Sequence, residues 1–426
     1  PHLHGKTMEQ VILGAAGLII VNDAEESALD LPRTYGVDDV PLVMQFKSFD
    51  GDGMLMLDDE MDNEVLVNGD IDPVASLPAQ VVRLRLLNGS SHRTFRIGIP
   101  DVGTFHQIAS DDGLLDAPIA LTRLTLAPGE RAEVLVDLTG MEGMDFDVMT
   151  YGNELPVGVM GGPPPMGMTP GPLDNTTFAI MSATVTAPTA DPVTTIPTAL
   201  TMNMPWPEAS ATQTFNVQMQ EIPMGSNEWF FNNLKFDMER IDFNTTEGTT
   251  VIWELENMSM MGHPFHIHGG HFYVLDIDGA APPANLQGRK DVVLVEPMST
   301  VRVIMKYEDF SDAMIPYMFH CHILSHEDNG MMGQFIVDVS TGINPVAEEG
   351  GFTVYPNPNN TGSLTITAGA GTLGTIRMVD ATGRMVRTWR PSGQQTRFAL
   401  DALAPGMYTI LAELNGTLRS QRVVVE

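Results

Sequence analysis

This sequence predicts an all-β chain of successive sandwiches, and three observations carry that prediction. Glycine and proline number 40 and 30 among 426 residues, so turns interrupt the chain too often for long helices. Apolar and polar residues alternate over short runs such as Val301-Arg-Val-Ile-Met-Lys306, the period of a strand with one buried face. Such runs recur between turn signals along most of the length, as in β-sandwiches. At 426 residues the chain exceeds one ordinary core and suggests about three or four domains.

Residues 1–24 open on Pro1-His2-Leu3-His4-Gly5, a turn, then run into Ala15-Ala-Gly-Leu-Ile-Ile-Val-Asn-Asp23. That apolar run suits a buried strand. A strand does not stand alone, so the stretch reads as the tail of a domain whose earlier strands lie outside this sequence. Residues 25–40 are polar, carry prolines and read as a linker. Strand-like runs return with Pro41-Leu-Val-Met-Gln-Phe46, Val81-Val-Arg-Leu-Arg-Leu-Leu87 and Arg131-Ala-Glu-Val-Leu-Val-Asp-Leu138. In Val82-Arg83-Leu84-Arg85-Leu86 the alternation predicts a half-buried strand. Residues 152–172, rich in proline, glycine and methionine, read as loop. Residues 175–200 follow as a strand and a threonine-proline connector. From about 202 to 338 a second strand-rich unit includes Val251-Ile-Trp-Glu-Leu-Glu-Asn257. After Thr341-Gly-Ile-Asn-Pro345 the composition changes, and residues 352–426, without histidine or cysteine, read as a small separate β-sandwich.

The net charge of −32 argues against a nucleic-acid partner, whose phosphates need lysine and arginine. It favours solubility or the attraction of cations. No run of about twenty apolar residues suggests a membrane span. One cysteine excludes a disulfide framework. A lone thiol among histidines reads instead as a metal ligand.

That thiol lies in Tyr317-Met-Phe-His320-Cys321-His322-Ile-Leu-Ser-His326-Glu327-Asp-Asn-Gly-Met331. One thiolate, two imidazoles and a weak axial thioether form the ligand set of a blue-copper electron-transfer centre. The segment offers Cys321, His326 and Met331. His263, in His263-Pro-Phe-His266-Ile-His268-Gly269, is the candidate second imidazole. Along an extended strand successive side chains point to opposite faces. His320 and His322 therefore turn away from Cys321 and can bind a second copper group behind it. His266 with His268, and His2 with His4, repeat the alternate spacing. Of the remaining histidines, His92 and His106 read as bulk residues and His271 as one beside the ligands or on the surface.

These segments resemble the copper motifs of multicopper oxidases, the family of laccases, bilirubin oxidases and bacterial cuprous oxidases. Pro1-His2-Leu-His4-Gly-Lys-Thr7 resembles the family's second His-x-His motif. Arg83-Leu-Arg-Leu-Leu-Asn-Gly89, Ile108-Ala-Ser-Asp-Asp-Gly-Leu-Leu115 and Ala127-Pro-Gly-Glu-Arg-Ala-Glu-Val-Leu-Val136 resemble its second domain. The resemblance covers about residues 1–342 and implies tandem cupredoxin-like Greek-key β-sandwiches. Residues 1–28 are then a remnant of the first, 29–200 the second and 201–342 the third, with the type-1 copper. Residues 343–351 become a linker. The tail, 352–426, resembles type IX secretion sorting domains at Tyr355-Pro-Asn-Pro358 and Pro405-Gly-Met-Tyr408, a generic carbohydrate-binding or adhesive module being the alternative. The tail implies a secreted, periplasmic or cell-surface protein.

The resemblance also assigns ligands. The family holds four coppers per complete protein with ten histidines and one cysteine. By resemblance His263, Cys321 and His326 bind type-1 copper with Met331 axial. His266 falls at the type-2 position, and His2, His4, His268, His320 and His322 at the type-3 pair. The other two cluster histidines belong to a motif upstream of His2, so this chain is expected to be an N-terminally truncated fragment. A truncated form that borrows ligands from a partner subunit is the other reading. Glu327 suits a proton relay, or else is a surface acid or strand cap. The implied activity is one-electron oxidation of Cu(I), phenols or aromatic amines coupled to four-electron reduction of dioxygen to water. The alternative is a copper-binding or electron-transfer cupredoxin protein without oxygen chemistry. Among 29 methionines, Met258, Met260 and Met261, then Met166 and Met168, are candidate Cu(I) contacts, since thioethers select that ion. Elsewhere methionine fills cores. With six of the cluster's histidines, the purified 426-residue chain is expected to be blue yet poor in oxidase activity. Atomic absorption and oxygen uptake check this; four coppers per chain with full turnover would contradict it.

Overall fold

The computed structural model describes residues 2–57, 61–223, 225–226, 228–339, 352–368, 373–380, 384–391, 393, 395–400, 403–414 and 417–425. The expected linker at 343–351 lies outside them. The alternating runs fold as strands, and the all-β expectation holds.

The first pair of sheets uses strands between Asp39 and Thr186. Its seven-stranded sheet runs in the order Asp70–Ile71, Glu64–Val67, Asp39–Lys47, Val81–Asn88, Arg131–Asp137, Phe105–Ser110, Gly113–Leu121. The facing sheet runs Val74–Pro78, Thr177–Thr186, Asp145–Tyr151, Phe95–Gly98, Leu124–Leu126. Met44, Leu84, Val134, Ile97 and Val148 are buried in the core the two sheets share.

The second pair spans Gln213 to Asp338. One sheet is ordered Trp229–Phe231, Gln213–Glu221, Thr250–Asn257, Thr300–Lys306, Phe272–Ile277. The other is ordered Phe243–Thr246, Met332–Asp338, Asp312–Cys321, His263–Ile267, Val292–Val295. Aromatic rings fill the space between. Trp253 lies 5.1 Å from Phe319 and 5.5 Å from Phe335 between centroids, the range in which such pairs attract. Thr341–Glu426 forms a separate compact unit. Its three- and four-stranded sheets bury Ile366, Ile376, Ile410 and Val423.

Three local expectations need correction. Ala15–Asp23 is not a strand: Ile19 is 93 % and Val21 82 % exposed, because no strand pairs with this stretch among the described residues. Val81–Asn88 is buried at every position, not half-buried. Its arginine face is covered by carboxylates. Arg83 donates to Glu26 at 2.7 Å and to Glu133 at 2.9 Å, and Arg85 to Asp39 at 2.7 Å. Glu26 belongs to a short helix, α2, which follows α1 (Thr7–Ile12) and occupies Ala24–Ser27. The expected linker is thereby fastened onto the first sandwich. A third short helix, α3 (Leu324–Asp328), interrupts the copper-motif segment.

Breaking a buried ion pair by removing one partner typically costs about 3–5 kcal/mol, because a charge is left buried and uncompensated. Arg83→Met takes one of two cationic partners from each acid, since Glu26 keeps Arg33 and Glu133 keeps Arg85. A smaller stability loss, about 1–3 kcal/mol for the bonds left unmade, seen as a lowered midpoint in urea titration, is the expected outcome.

Candidate metal centre

Register builds the site. His263–Ile267 pairs antiparallel with Asp312–Cys321, so that Phe265 opposes Cys321, His266 opposes His320 and Ile267 opposes Phe319. Alternation then sorts the side chains. His263, Phe265, Ile267 and Cys321 share the core face, while His266, His268 and His320 share the other.

On the core face Cys321 Sγ lies 3.6 Å from His263 Nδ1 and 3.7 Å from His326 Nδ1. All three residues are buried, and their ligand atoms lie within 4.8 Å of one another. α3 folds the chain back after Cys321 and so delivers His326. Met331, fully buried, is tied to both: its carbonyl accepts from Cys321 N–H at 3.1 Å, and its N–H donates to the His326 carbonyl at 2.8 Å. With Nδ1 of His263 facing sulfur, the ring proton sits on Nε2, 2.9 Å from Ser259 Oγ. Partners of this kind orient a metal-ligating imidazole. Trp229 stacks on His326 at 4.4 Å and meets His263 edge-on at 4.9 Å. Burial lowers the His263 pKa to about 3 and that of His326 well below the ordinary range. Both rings are therefore neutral, the form that binds metal. Burial pushes the Cys321 thiol up; a bound cation would deprotonate it outright.

Behind this face, the Nε2 atoms of His2, His268 and His320 converge, with separations of 3.1, 3.3 and 3.4 Å. His320 Nδ1 donates to the Cys321 carbonyl at 3.1 Å, which leaves its Nε2 as a lone pair. Three ring nitrogens this close cannot all pair with one another, since each is either donor or acceptor. A shared cation satisfies them together. His266 donates from Nδ1 to the Asp291 carbonyl at 2.7 Å, and its ring lies 4.9 Å from His268 and 5.2 Å from His320. His322 completes the group, its ring 5.6 Å from His320 and 6.0 Å from His266. Its Nδ1 is buried with no hydrogen-bond partner among the described residues. Gly129 presses on that ring: a Cβ there would stand 2.7 Å from it, and φ is +84°. Burial lowers the His268 and His322 pKa values to about 3 and about 4, with neighbouring imidazoles adding to the effect. These rings, with His2, line a cavity of 420 Å³.

Glu327 closes the cavity. Its Oε1 accepts from Thr7 Oγ1 at 3.0 Å and lies 3.4 Å from His2 Nδ1, while Oε2 is 3.2 Å from His320 Nδ1. Burial alone would raise its pKa. The neighbouring imidazoles, His320 first, then His322 and His2, hold it down at about 2.

Not every candidate converges. His4 is exposed, its ring against Phe236 at 5.1 Å. His92 is buried between Ser91 Oγ at 2.9 Å and Asp62 Oδ2 at 3.0 Å. His106 lies on the strand Phe105–Ser110, and His271 stacks on Trp206 at 5.1 Å. Met258 and Met260 are about half exposed, whereas Met261 is partly buried. Met61, Met160, Met168 and Met261 line one cavity of 130 Å³; Met166 is fully exposed. Sequence reasoning did not single out Trp229, Ser259, Thr7 or Gly129. Of these, Thr7 and Gly129 lay within the family-like segments and Ser259 beside the methionine cluster ahead of His263, and Trp229 carried no local signal.

A buried thiol with neutral imidazoles fits copper by the softness of its donors. Comparison with known proteins agrees. Residues 208–341 match the family model described as multicopper oxidase, and residues 353–426 match that of the secretion system C-terminal sorting domain. The chain is 32% identical over 352 residues to the multicopper oxidase mco of Staphylococcus haemolyticus, covering 79% of this chain and 67% of that one. It is 30% identical to the cell division protein FtsP of Xenorhabdus nematophila, covering 78% and 68%. The solved structure of a laccase-like multicopper oxidase, CueO, from Ochrobactrum sp. superposes with a TM-score of 0.67 at 34% identity, covering 79% of this chain and 75% of that one. The chain belongs to the multicopper oxidases, copper-binding oxidoreductases, and ends in a secretion sorting domain.

Proposed function

We propose that the chain takes electrons one at a time from Cu(I) or from small phenols and aromatic amines, and uses them in the four-electron reduction of dioxygen to water. One observation carries this reading. Cys321 faces His263 and His326 on one side of its strand, while His320, the adjacent residue, faces His2 and His268 on the other. In this reading Cys321, His263, His326 and axial Met331 hold type-1 copper. His266 serves type-2, and His2, His268, His320 and His322 serve the type-3 pair, while His4, exposed against Phe236, stands apart from it. Copper so held supplies one-electron redox chemistry between the reductant and dioxygen.

The chain's own part is binding, exclusion of water and proton handling. The peptide link from Cys321 to His320 joins the two groups through covalent bonds. Trp229 and the buried residues around Cys321 keep water from the first group. Glu327, ionised and hydrogen-bonded to Thr7 beside two cluster histidines, is placed to take up a proton and return it to the cavity. The cavity lined by four methionines supports Cu(I) as the reductant. The sorting domain supports a secreted, periplasmic or cell-surface location, and no helix among the described residues is long and apolar enough to cross a membrane.

Similarity to proteins named for cell division, and not for oxidation, keeps a second reading in play, a copper-binding or electron-transfer protein without oxygen chemistry. Two substitutions separate the readings. Cys321→Ser should abolish the blue absorption and lower substrate oxidation by more than the roughly 100-fold that a change behind the ligands costs. Glu327→Gln should keep the blue colour and lower oxygen uptake by about 100-fold, the scale of a lost acid–base group. The 426-residue chain itself is expected to turn over poorly, so the deciding measurement is on the full-length protein, where oxygen uptake at background level after full copper loading would sink the oxidase reading. For the reductant, phenol oxidation that rises sharply with added copper supports Cu(I), and activity indifferent to copper supports a laccase.

A further inference from the structure

α1 is too short to hold itself together. Isolated helices below about 12 residues are marginal in water, and α1 has six residues, with only Thr7 and Ile12 buried. Its N-cap, Lys6, makes no capping hydrogen bond from its side chain. The free N–H groups of its first turn are satisfied from elsewhere. Thr7 N–H donates to Asp328 Oδ1 at 3.0 Å and Met8 N–H to Asp328 Oδ2 at 2.9 Å. One carboxylate thus grips both amides, a charge-assisted arrangement and the favoured sign at a helix start. At the other end Lys47 Nζ donates to the carbonyls of Val11 at 2.9 Å and Ile12 at 2.6 Å. Thr7 Oγ1 adds its bond to Glu327.

His2 stands five residues before the gripped amide and is itself partly exposed, its side chain 36% accessible. Its ring meets Glu327, His268 and His320, and the backbone that carries it runs into α1, so its place depends on where α1 is held. Asp328 closes α3, which also carries His326 and Glu327. Three consecutive side chains therefore face the thiol group, the histidine cavity and the helix behind His2.

We propose that Asp328 is a positioning residue that clamps α1 and thereby presents His2 Nε2 to His268 and His320. This rests on the cluster reading above. Asp328 touches none of the converging nitrogens and acts only through α1.

The test uses copper titration of the full chain with His2→Ala, Asp328→Ala, Asp328→Asn and the double variant His2→Ala/Asp328→Ala. In Asp328→Ala the affinity for cluster copper should fall about 10- to 100-fold, as for loss of a supporting contact. The blue absorption should stay at parent intensity. Asp328→Asn, with one oxygen for two amides, should fall between. The double variant should bind no worse than His2→Ala, the non-additivity expected when one residue works through the other. In the metal-free chain, amide exchange at Thr7 and Met8 should quicken in Asp328→Ala. Full cluster affinity in Asp328→Ala beside a weakened His2→Ala overturns the clamp alone, as do additive losses or a parallel loss of blue colour. Unchanged copper binding in His2→Ala overturns the cluster reading and the clamp with it.

Discussion

The pairing of His263–Ile267 with Asp312–Cys321 is the constraint on which the rest of the site depends. A slip of one residue in a strand moves every side chain to the opposite face. Here such a slip would put sulfur among the cavity histidines and imidazole into the aromatic core. Phe265 and Ile267 guard against it, since both are completely buried beside Cys321. The hydrophobic pattern that packs the second sandwich is thus the same pattern that separates two ligand groups by a single peptide link.

Charge burial sets the position of the other wall. Asp111, Glu130 and Arg131 come from the first sandwich, Lys290 and Asp291 from the second. Lys290 Nζ lies 2.9 Å from Asp111 and 3.0 Å from Glu130, and Arg131 holds the Asp291 carboxylate bidentately. Burial alone would raise the Asp111 carboxyl, but Lys290 and Arg131 hold it below the ordinary value. Buried ions separated from their partners are heavily penalised, so the two sandwiches meet in one way. That arrangement fixes the Asp291 carbonyl that orients His266, and it seats Gly129 against the His322 ring.

The legible parts of the sequence were those in which neighbours in the chain are also partners in the fold. Strands such as Thr250–Asn257 announce themselves by alternation, and His-x-His and His-Cys-His by spacing. The rest depended on groups remote in sequence. Arg83 and Arg85 read as a solvent face because Glu26, Glu133 and Asp39, which neutralise them, lie on other elements. Ala15–Asp23 has the composition of a strand, yet composition supplies no partner. Trp229 stacks on a histidine nearly a hundred positions away. His4 matches its motif and still stands outside the converging nitrogens, since spacing states which face a residue occupies and not how far its ring reaches.

The two ligand groups also differ in what holds them. The thiol group is built on strands and a helix of one sandwich, within a buried apolar core in which Trp229 stacks on His326. The histidine cavity is assembled from pieces: α1 at one edge, the Gly129 turn of the first sandwich at another, the paired strands at its floor. Local stability varies across a fold with the density of buried apolar contacts, and α1 contributes few. Rearrangement of the cavity is therefore easier than rearrangement of the thiol site. The helix that follows His2, α1, has its ends held by two charged side chains, Asp328 and Lys47, one from each sandwich.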